Sequence, residues 1–218
     1  MEKMVADILL QALLILIGIF GYLYVHEIPQ KALAKFREYR SRPGVEAKRH
    51  FVLGARTLSL ARSPDNSHST TISLAKKAED EADKAISLDP KDAAVHILKA
   101  LSLDLQGFKS SALDSLDVAL SPLAVKSLTE SEKGDALFKR AELVVGTNRS
   151  ERVDAAIQDL TQAVKLNKEN ANAFRLLGEC YEAKKMEEEA KSAYEEALKL
   201  QPEMASAKAA LERLTSSE

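Results

Sequence analysis

The chain has 218 residues, a formal net charge of −2 from 31 basic and 33 acidic side chains, one cysteine and no tryptophan. Near-neutrality excludes a general nucleic-acid binder, which needs many phosphate-facing cations, and a single cysteine excludes an internal disulfide framework or a multi-cysteine metal site. Abundant Ala, Leu, Lys and Glu with only 8 Gly and 6 Pro point to an all-α protein, and the length suits one compact domain plus an appendage.

The appendage comes first. Ile8 to Val25 is a run of 18 residues without a charge, Gln11 being its one strongly polar member. As a helix it would span about 27 Å, close to the hydrocarbon thickness of a bilayer, with Tyr22 and Tyr24 at the end where aromatic rings favour the interface. A cleaved signal peptide is the main alternative. Its positive n-region is poorly met by Lys3 between Glu2 and Asp7, and no small-x-small site follows the apolar run. A buried core helix fits less well, because the apolar residues cover every face. The reading is a single-pass anchor over residues 1–28 that meets the membrane through residues 5–25.

Lys31, Lys35, Arg37, Arg40 and Arg42 follow, against only Glu27 and Glu38. The positive-inside rule therefore places the N-terminus outside and the rest of the chain in the cytosol, the membrane being that of the ER or of an organelle surface. Residues 29–44 form a basic juxtamembrane linker in which Leu33, Phe36 and Tyr39 interleave with these cations. It either lies on an anionic leaflet, the five cations meeting lipid headgroups, or serves as a solvated topology signal. Arg42-Pro43-Gly44 is expected to break the chain and open the domain at residue 45.

From residue 45 to 214 one small-residue pattern recurs. Alanines seven residues apart occur at Ala78/Ala85, Ala112/Ala119, Ala156/Ala163 and Ala190/Ala197, each pair preceded by a small residue at a matching position: Gly54, Ala100, Ala141 and Gly178. Two helical turns separate the members of each pair, so both face one neighbouring helix and permit close approach. Ala85 to Ala119 and Ala163 to Ala197 are 34 residues apart, whereas Ala119 to Ala163 is 44. The extra residues fall around Ser121–Glu132 and in the turn near Gly146–Glu151. A further insertion, Arg62 to Thr71, has loop composition and is expected to be an exposed loop within the first unit. Met204 to Ser217 reads as one more helix whose stripe of Ala205, Ala209, Leu211 and Leu214 covers the open end, with residues 215–218 as a frayed tail.

The most regular unit is Ala171 to Met204. Its Phe174-x2-Leu177-Gly178-x2-Tyr181, then Ala190-x3-Tyr194, then Pro202, resembles the tetratricopeptide repeat, with Phe for its Trp and Tyr for its Phe. The resemblance covers about residues 45 to 202 and is well matched only in this unit; the second lacks the large aromatic and the third ends in Asn167-Lys168 without a proline. It implies an all-α solenoid of about four helix pairs plus a C-terminal capping helix, here preceded by the single N-terminal transmembrane helix. It also implies a binding scaffold rather than an enzyme.

In that family the first helix of each unit lines a concave groove. The matching positions here are Lys48, Phe51 and Ala55; Ala94, Ile97, Leu101 and Asp104; Asp135, Phe138 and Glu142; and Asn172, Arg175, Glu179 and Glu182. Phe51, Ile97, Leu101 and Phe138 with Glu142, Arg175, Glu179 and Glu182 form the candidate protein-binding groove, suited to an apolar or basic-amphipathic helix or an extended peptide. The alternative is a closed array in which they only pack. Family members that hold the carboxylate tail of heat-shock chaperones use Lys, Arg and Asn at such positions. This chain offers Phe51, Ile97, Leu98, Leu101, Phe138 and Leu176, which cannot donate to a carboxylate, so that partner is disfavoured.

No catalytic constellation is present. His26, His50, His68 and His96 are scattered, and there is no Gly-rich phosphate loop, nucleophile elbow or Cys-x2-Cys, so neither cofactor nor metal is expected. Cys180, on the apolar side of its helix, reads as a buried structural thiol. The expected function is a membrane-anchored interaction scaffold facing the cytosol. The alternatives are a receptor or assembly factor on the mitochondrial or plastid outer membrane, and a lumenal or secreted protein after signal cleavage. The sequon Asn148-Arg149-Ser150 separates these, since only a lumenal domain would be glycosylated there.

Overall fold

The structure, a computed structural model, describes residues 42–147 and 153–216 and the single positions Gln11 and Tyr22. Apart from those two positions, the expected membrane span lies outside the described residues, as do Lys31, Lys35, Arg37, Arg40 and the sequon. Among the described residues no helix is long and apolar enough to cross a membrane.

The described chain is helical: α1 (Arg42–Ala61), α2 (His68–Leu88), α3 (Ala93–Leu105), α4 (Lys109–Ala119), a 3-10 turn (Val125–Ser127), α5 (Glu130–Gly146), α6 (Val153–Leu166), α7 (Ala171–Ala183), α8 (Glu187–Leu200) and α9 (Ala205–Ser216). Successive helices pair as α3/α4, α5/α6 and α7/α8, and α9 packs on α8, while α1 meets α2 where Leu58 joins Ala78 and Ala82 and where His50 meets Glu81. This is the all-α solenoid with a terminal cap that the repeat pattern implied. One compact unit spans Ala47–Glu218.

Local chemistry sets where helices begin. The Ser67 hydroxyl accepts from the Thr70 N–H, Asp92 from Ala94 and Asn170 from Ala173. Thr129 and Glu132 form a reciprocal capping box at the start of α5. Each such group satisfies a backbone donor that the first helical turn cannot. Gly107 and Lys185 both adopt positive φ, at 88° and 60°, to turn the chain from the first helix of a unit into the second. They occupy the same register, seven residues after Ala100 and Gly178. Glycine fits that left-handed geometry freely, and lysine does not.

The small residues sit at the joints. All eight paired alanines are buried, as are Gly54, Ala100, Ala141 and Gly178, while Pro202 is exposed in the turn after α8. A Cβ on Gly178 would lie 2.7 Å from the ring of Tyr194, the largest of the almost fully buried side chains, so the two helices approach as closely as glycine allows.

The core is a relay of joints, each formed by the second helix of one unit and the first of the next. Ala78, Ala82 and Ala85 meet Val95 and Leu98. Ala112 and Leu116 meet Leu143. Ala156 and Leu160 meet Ala173, Leu176 and Cys180. Ala190, Tyr194 and Ala197 meet Ala207, Ala210 and Leu214 of the cap. Arg140 of α5 clamps its neighbours with two bonds to Asp159 of α6 at 2.7 Å each and one to Asp117 of α4 at 2.9 Å.

Three expectations shift. Arg42, Pro43 and Gly44 lie within a helix and do not break it. The Arg62–Thr71 loop is shorter, because Ser67 caps α2 and turns His68 to Thr71 into helix. The cap buries Ala207, Ala210 and Leu214, a stripe offset from the one expected, and Ala205 and Ala209 face solvent. The insertion after α4, which the sequence left without an assigned structure, carries the 3-10 turn. This turn places the Ser127 hydroxyl to accept from the Ala93 N–H at 3.0 Å and buries Ala124 against Ala93 and Ala119.

Candidate protein-binding groove

Residues of α1, α3 and α5 that point away from the second helices converge on one groove of about 670 Å³. Its apolar lining is Phe51 and Leu58 from α1, Ile97 and Leu101 from α3, Leu128 from the insertion and Phe138 from α5. Each of Phe51, Ile97, Leu101 and Phe138 packs one side against a buried cluster and leaves the other open. A rigid backing of this kind preorganises a binding surface, because few rotamers remain to be frozen on contact.

Charges line the walls unevenly. On the α5 side stand Glu132, Asp135, Lys139 and Glu142, and on the α1 side Arg62. The Lys139 ammonium bridges Asp104 at 2.8 Å and Glu142 at 2.7 Å. Burial opposes its charge, but the hydrogen bonds it gives to these two carboxylates, with their negative charge, outweigh that and raise its pKa. Asp135 accepts from the side-chain amides of Asn167 and Asn170. The Glu132 carboxyl is held below its usual range, chiefly by the Thr129 N–H and then by the Thr129 hydroxyl. Most of this wall is therefore paired within the protein, and the open part of the groove is mainly apolar.

Of the sequence-derived groove residues, the structure brings together Phe51, Ala55, Ala94, Ile97, Leu101, Asp135, Phe138 and Glu142. Asp104 reaches them through Lys139. Lys48 and Asn172 are exposed and do not line the groove.

Arg175, Glu179 and Glu182 lie apart from it. Arg175 pairs with Glu179 one turn along its own helix. Glu182 accepts from Arg213 of α9 at 2.6 Å and from the Tyr194 hydroxyl at 3.1 Å, so it knits the cap to the last unit. Leu176 is buried in the α6–α7 joint, and Leu98 lies in the groove floor, only 4% exposed.

Lys139, Leu128, Arg62 and Asn170 are groove residues that the repeat register did not supply. Leu128 belongs to the insertion, which has no repeat position. Lys139 did leave a signal: it stands two residues before Ala141, where the other units carry Val52, Leu98 and Leu176.

Among the described residues no group of three His, Cys, Asp or Glu could hold a metal ion. His50 meets Glu81 across α1 and α2 at 2.6 Å, and His96 meets the Pro90 carbonyl at 2.9 Å, so both are used in packing the fold.

Residues 149–205 match the tetratricopeptide repeat family model. No curated protein matches the chain in sequence. Among solved structures, the crystal structure of MamA aligns with a TM-score of 0.57 at 21% identity, covering 67% of this chain and 80% of that one. YrrB, described as a TPR protein with an unusual peptide-binding site, aligns at 0.56 and 20% identity, covering 74% and 75%. The pilF protein of Pseudomonas aeruginosa aligns at 0.61 and 20% identity, covering 80% and 70%. At these identities the likeness is one of fold.

Proposed function

We propose that this chain, a solenoid of tetratricopeptide repeats, is a protein-interaction scaffold whose α1–α3–α5 groove takes an apolar face of a partner helix or extended peptide. The observation that carries the reading is the convergence of Phe51, Ile97, Leu101 and Phe138 on a single open groove with a rigid backing. Half-exposed aromatic and aliphatic side chains of this kind are the usual anchors of recognition, since burying them releases water without a large ordering cost. The peptide-binding site described for the similar YrrB is consistent with a solenoid of this size holding a peptide. The groove offers no convergent free cations, so a peptide's C-terminal carboxylate is a poor fit and an apolar anchor a good one.

The experiment is proximity labelling and co-precipitation with the Phe51→Ala/Phe138→Ala variant. The expected result is selective loss of the partner set with helical content unchanged. Retention of the same partners by a folded variant would place the binding site elsewhere.

The charge-free run Ile8 to Val25 and its basic C-terminal flank support an anchor that holds this scaffold at a membrane with the groove in the cytosol. Protease protection of a tagged chain in intact membranes tests this, with digestion of the repeat domain expected. A glycosidase-sensitive mobility shift that disappears in Asn148→Gln would reverse the topology.

A further inference from the structure

The register that carries the groove also defines the face by which each unit leans on the one before it. Counting from the small residue of each first helix, the positions five before, two before and two after are Val95, Leu98 and Ser102 in α3 and Ala173, Leu176 and Cys180 in α7. All six are buried, and the apolar ones pack on the second helix of the preceding unit. In α5 the same positions are Ala136, Lys139 and Leu143; the first and last are buried, the last packed on α4, and Lys139 turns to the groove.

In α1 these positions are Arg49, Val52 and Arg56, and all three are exposed. Leu53 and Leu60 extend the same stripe, so that Val52, Leu53 and Leu60 are 61%, 42% and 55% exposed. At one hundred degrees per residue the two arginines fall between Val52 on one side and Leu53 and Leu60 on the other. Neither arginine makes an ion pair with a described residue. A face that is wholly buried in α3 and α7 and mostly so in α5 is here an open apolar stripe with two cations along its centre.

We infer that this face of α1 docks an amphipathic helix of a partner protein, seated where the second helix of a preceding unit would lie and presenting carboxylates to Arg49 and Arg56. The α2–α3 joint shows the chemistry in place. There the second helix supplies carboxylates to the first, Asp83 to Lys99 at 2.7 Å and Glu79 to Gln106 at 2.9 Å. Arginine tolerates the core of an interface when a carboxylate meets its guanidinium with two bonds, and it is enriched there.

Two other occupants fit less well. Two copies of α1 packed antiparallel would set Arg49 of one near Arg56 of the other, an uncompensated like-charge contact. The second helices of another copy are already covered by their own successors, α2 by α3 through to α8 by α9. A leaflet-bound helix inserts an unbroken apolar face with its cations at the flanks, whereas here the cations interrupt the stripe.

The test uses a fluorescent peptide with the α2 sequence His68–Leu88 carrying Ala78→Glu and Ala85→Glu. Its two added carboxylates are seven residues apart, as Arg49 and Arg56 are. It cannot replace the chain's own α2, where both alanines are wholly buried. Anisotropy titration against the full chain in detergent should show saturable binding. Arg49→Glu/Arg56→Glu should weaken it by about tenfold or more, and a peptide with Lys at the two positions should regain it on that variant. Phe51→Ala/Phe138→Ala should leave it unchanged, which separates this face from the groove. Because both arginines are exposed, the charge-reversed chain is expected to keep its helical circular dichroism. Absence of binding, or binding indifferent to charge reversal, overturns the inference. So does a charge reversal that alters only pelleting with phosphatidylserine vesicles, or only the sedimentation of the chain itself, which would assign the face to lipid or to a second copy.

Discussion

The two halves of the repeat domain use the same groove positions for opposite ends. In the last unit, the most regular in sequence, Glu179 and Glu182 are engaged by Arg175, Arg213 and Tyr194. In the first three units, where the pattern is degenerate, Phe51, Ile97, Leu101 and Phe138 stay half open around a common groove. Close adherence to the repeat pattern here marks a unit that engages its own groove positions, and departures from it go with the open groove. Solenoid stability is a sum over units and joints, so a strong terminal unit can offset open ones.

The sharpest way to break this comparison is to truncate one aromatic from each half. Tyr194→Ala removes an almost fully buried ring and should cost about 3–5 kcal/mol, whereas Phe138→Ala, only partly buried, should cost about 1–2 kcal/mol. Urea unfolding of the two variants measures the difference. Equal losses would make Phe138 a core residue and remove the groove as a binding surface.

A smaller contrast lies in the two glycines. A Cβ at Gly178 would meet the fixed ring of Tyr194 at 2.7 Å, and one at Gly54 would meet the end of the Leu98 side chain at 2.9 Å. Gly178→Ala should therefore lower stability by about 1–3 kcal/mol, and Gly54→Ala by less, because a leucine tip can move. Thermal melts of both variants would show the order, and the reverse order would mean that the first joint is the tighter.

The pH response should belong to the N-terminal and central units. Glu81 is lowered first by its hydrogen bond with His50 and then by Lys84, and Glu132 by Thr129, both from a usual glutamate value of 4.5. A folded value below the unfolded one means that the contribution is fully present above about pH 4.5 and fades as the pH falls through the lowered value. Melts between pH 6 and pH 3 should show this fall, and Glu132→Gln should flatten part of it. In the last unit the Cys180 thiol is pushed up to about 11, chiefly by burial and then by Glu179. At pH 8 it should resist thiol reagents until the α6–α7 joint opens, and fast labelling of the native chain would contradict that packing.

The packing code was legible because it needs only spacing. Eight alanines and four small partners recur in register whatever the rest of the helix does, and the structure buries all twelve. The capping box was equally present, as Thr129-x2-Glu132, a pattern that a propensity reading passes over when its residues fall in an insertion. Ser67 was harder to read, since it sits inside a run of loop-favouring residues that continues through Ser69, Thr70 and Thr71, and only its bond to the Thr70 N–H marks the start of α2. The role of Glu182 was not legible. Its partner Arg213 is 31 residues away on a helix outside the repeat register, and only the fold brings them together.

The cap has a consequence best put in the language of polymer chemistry. By burying Ala207, Ala210 and Leu214 on α8 and leaving Ser206, Lys208, Ala209, Glu212 and Arg213 outward, α9 has the character of a chain terminator: among the described residues its outward face is mostly polar. The opposite end, at α1, is still a propagating end. A designer wishing to lengthen this array would append hairpins ahead of α1, replacing Arg49 and Arg56 with small apolar residues, and would gain nothing by building beyond α9.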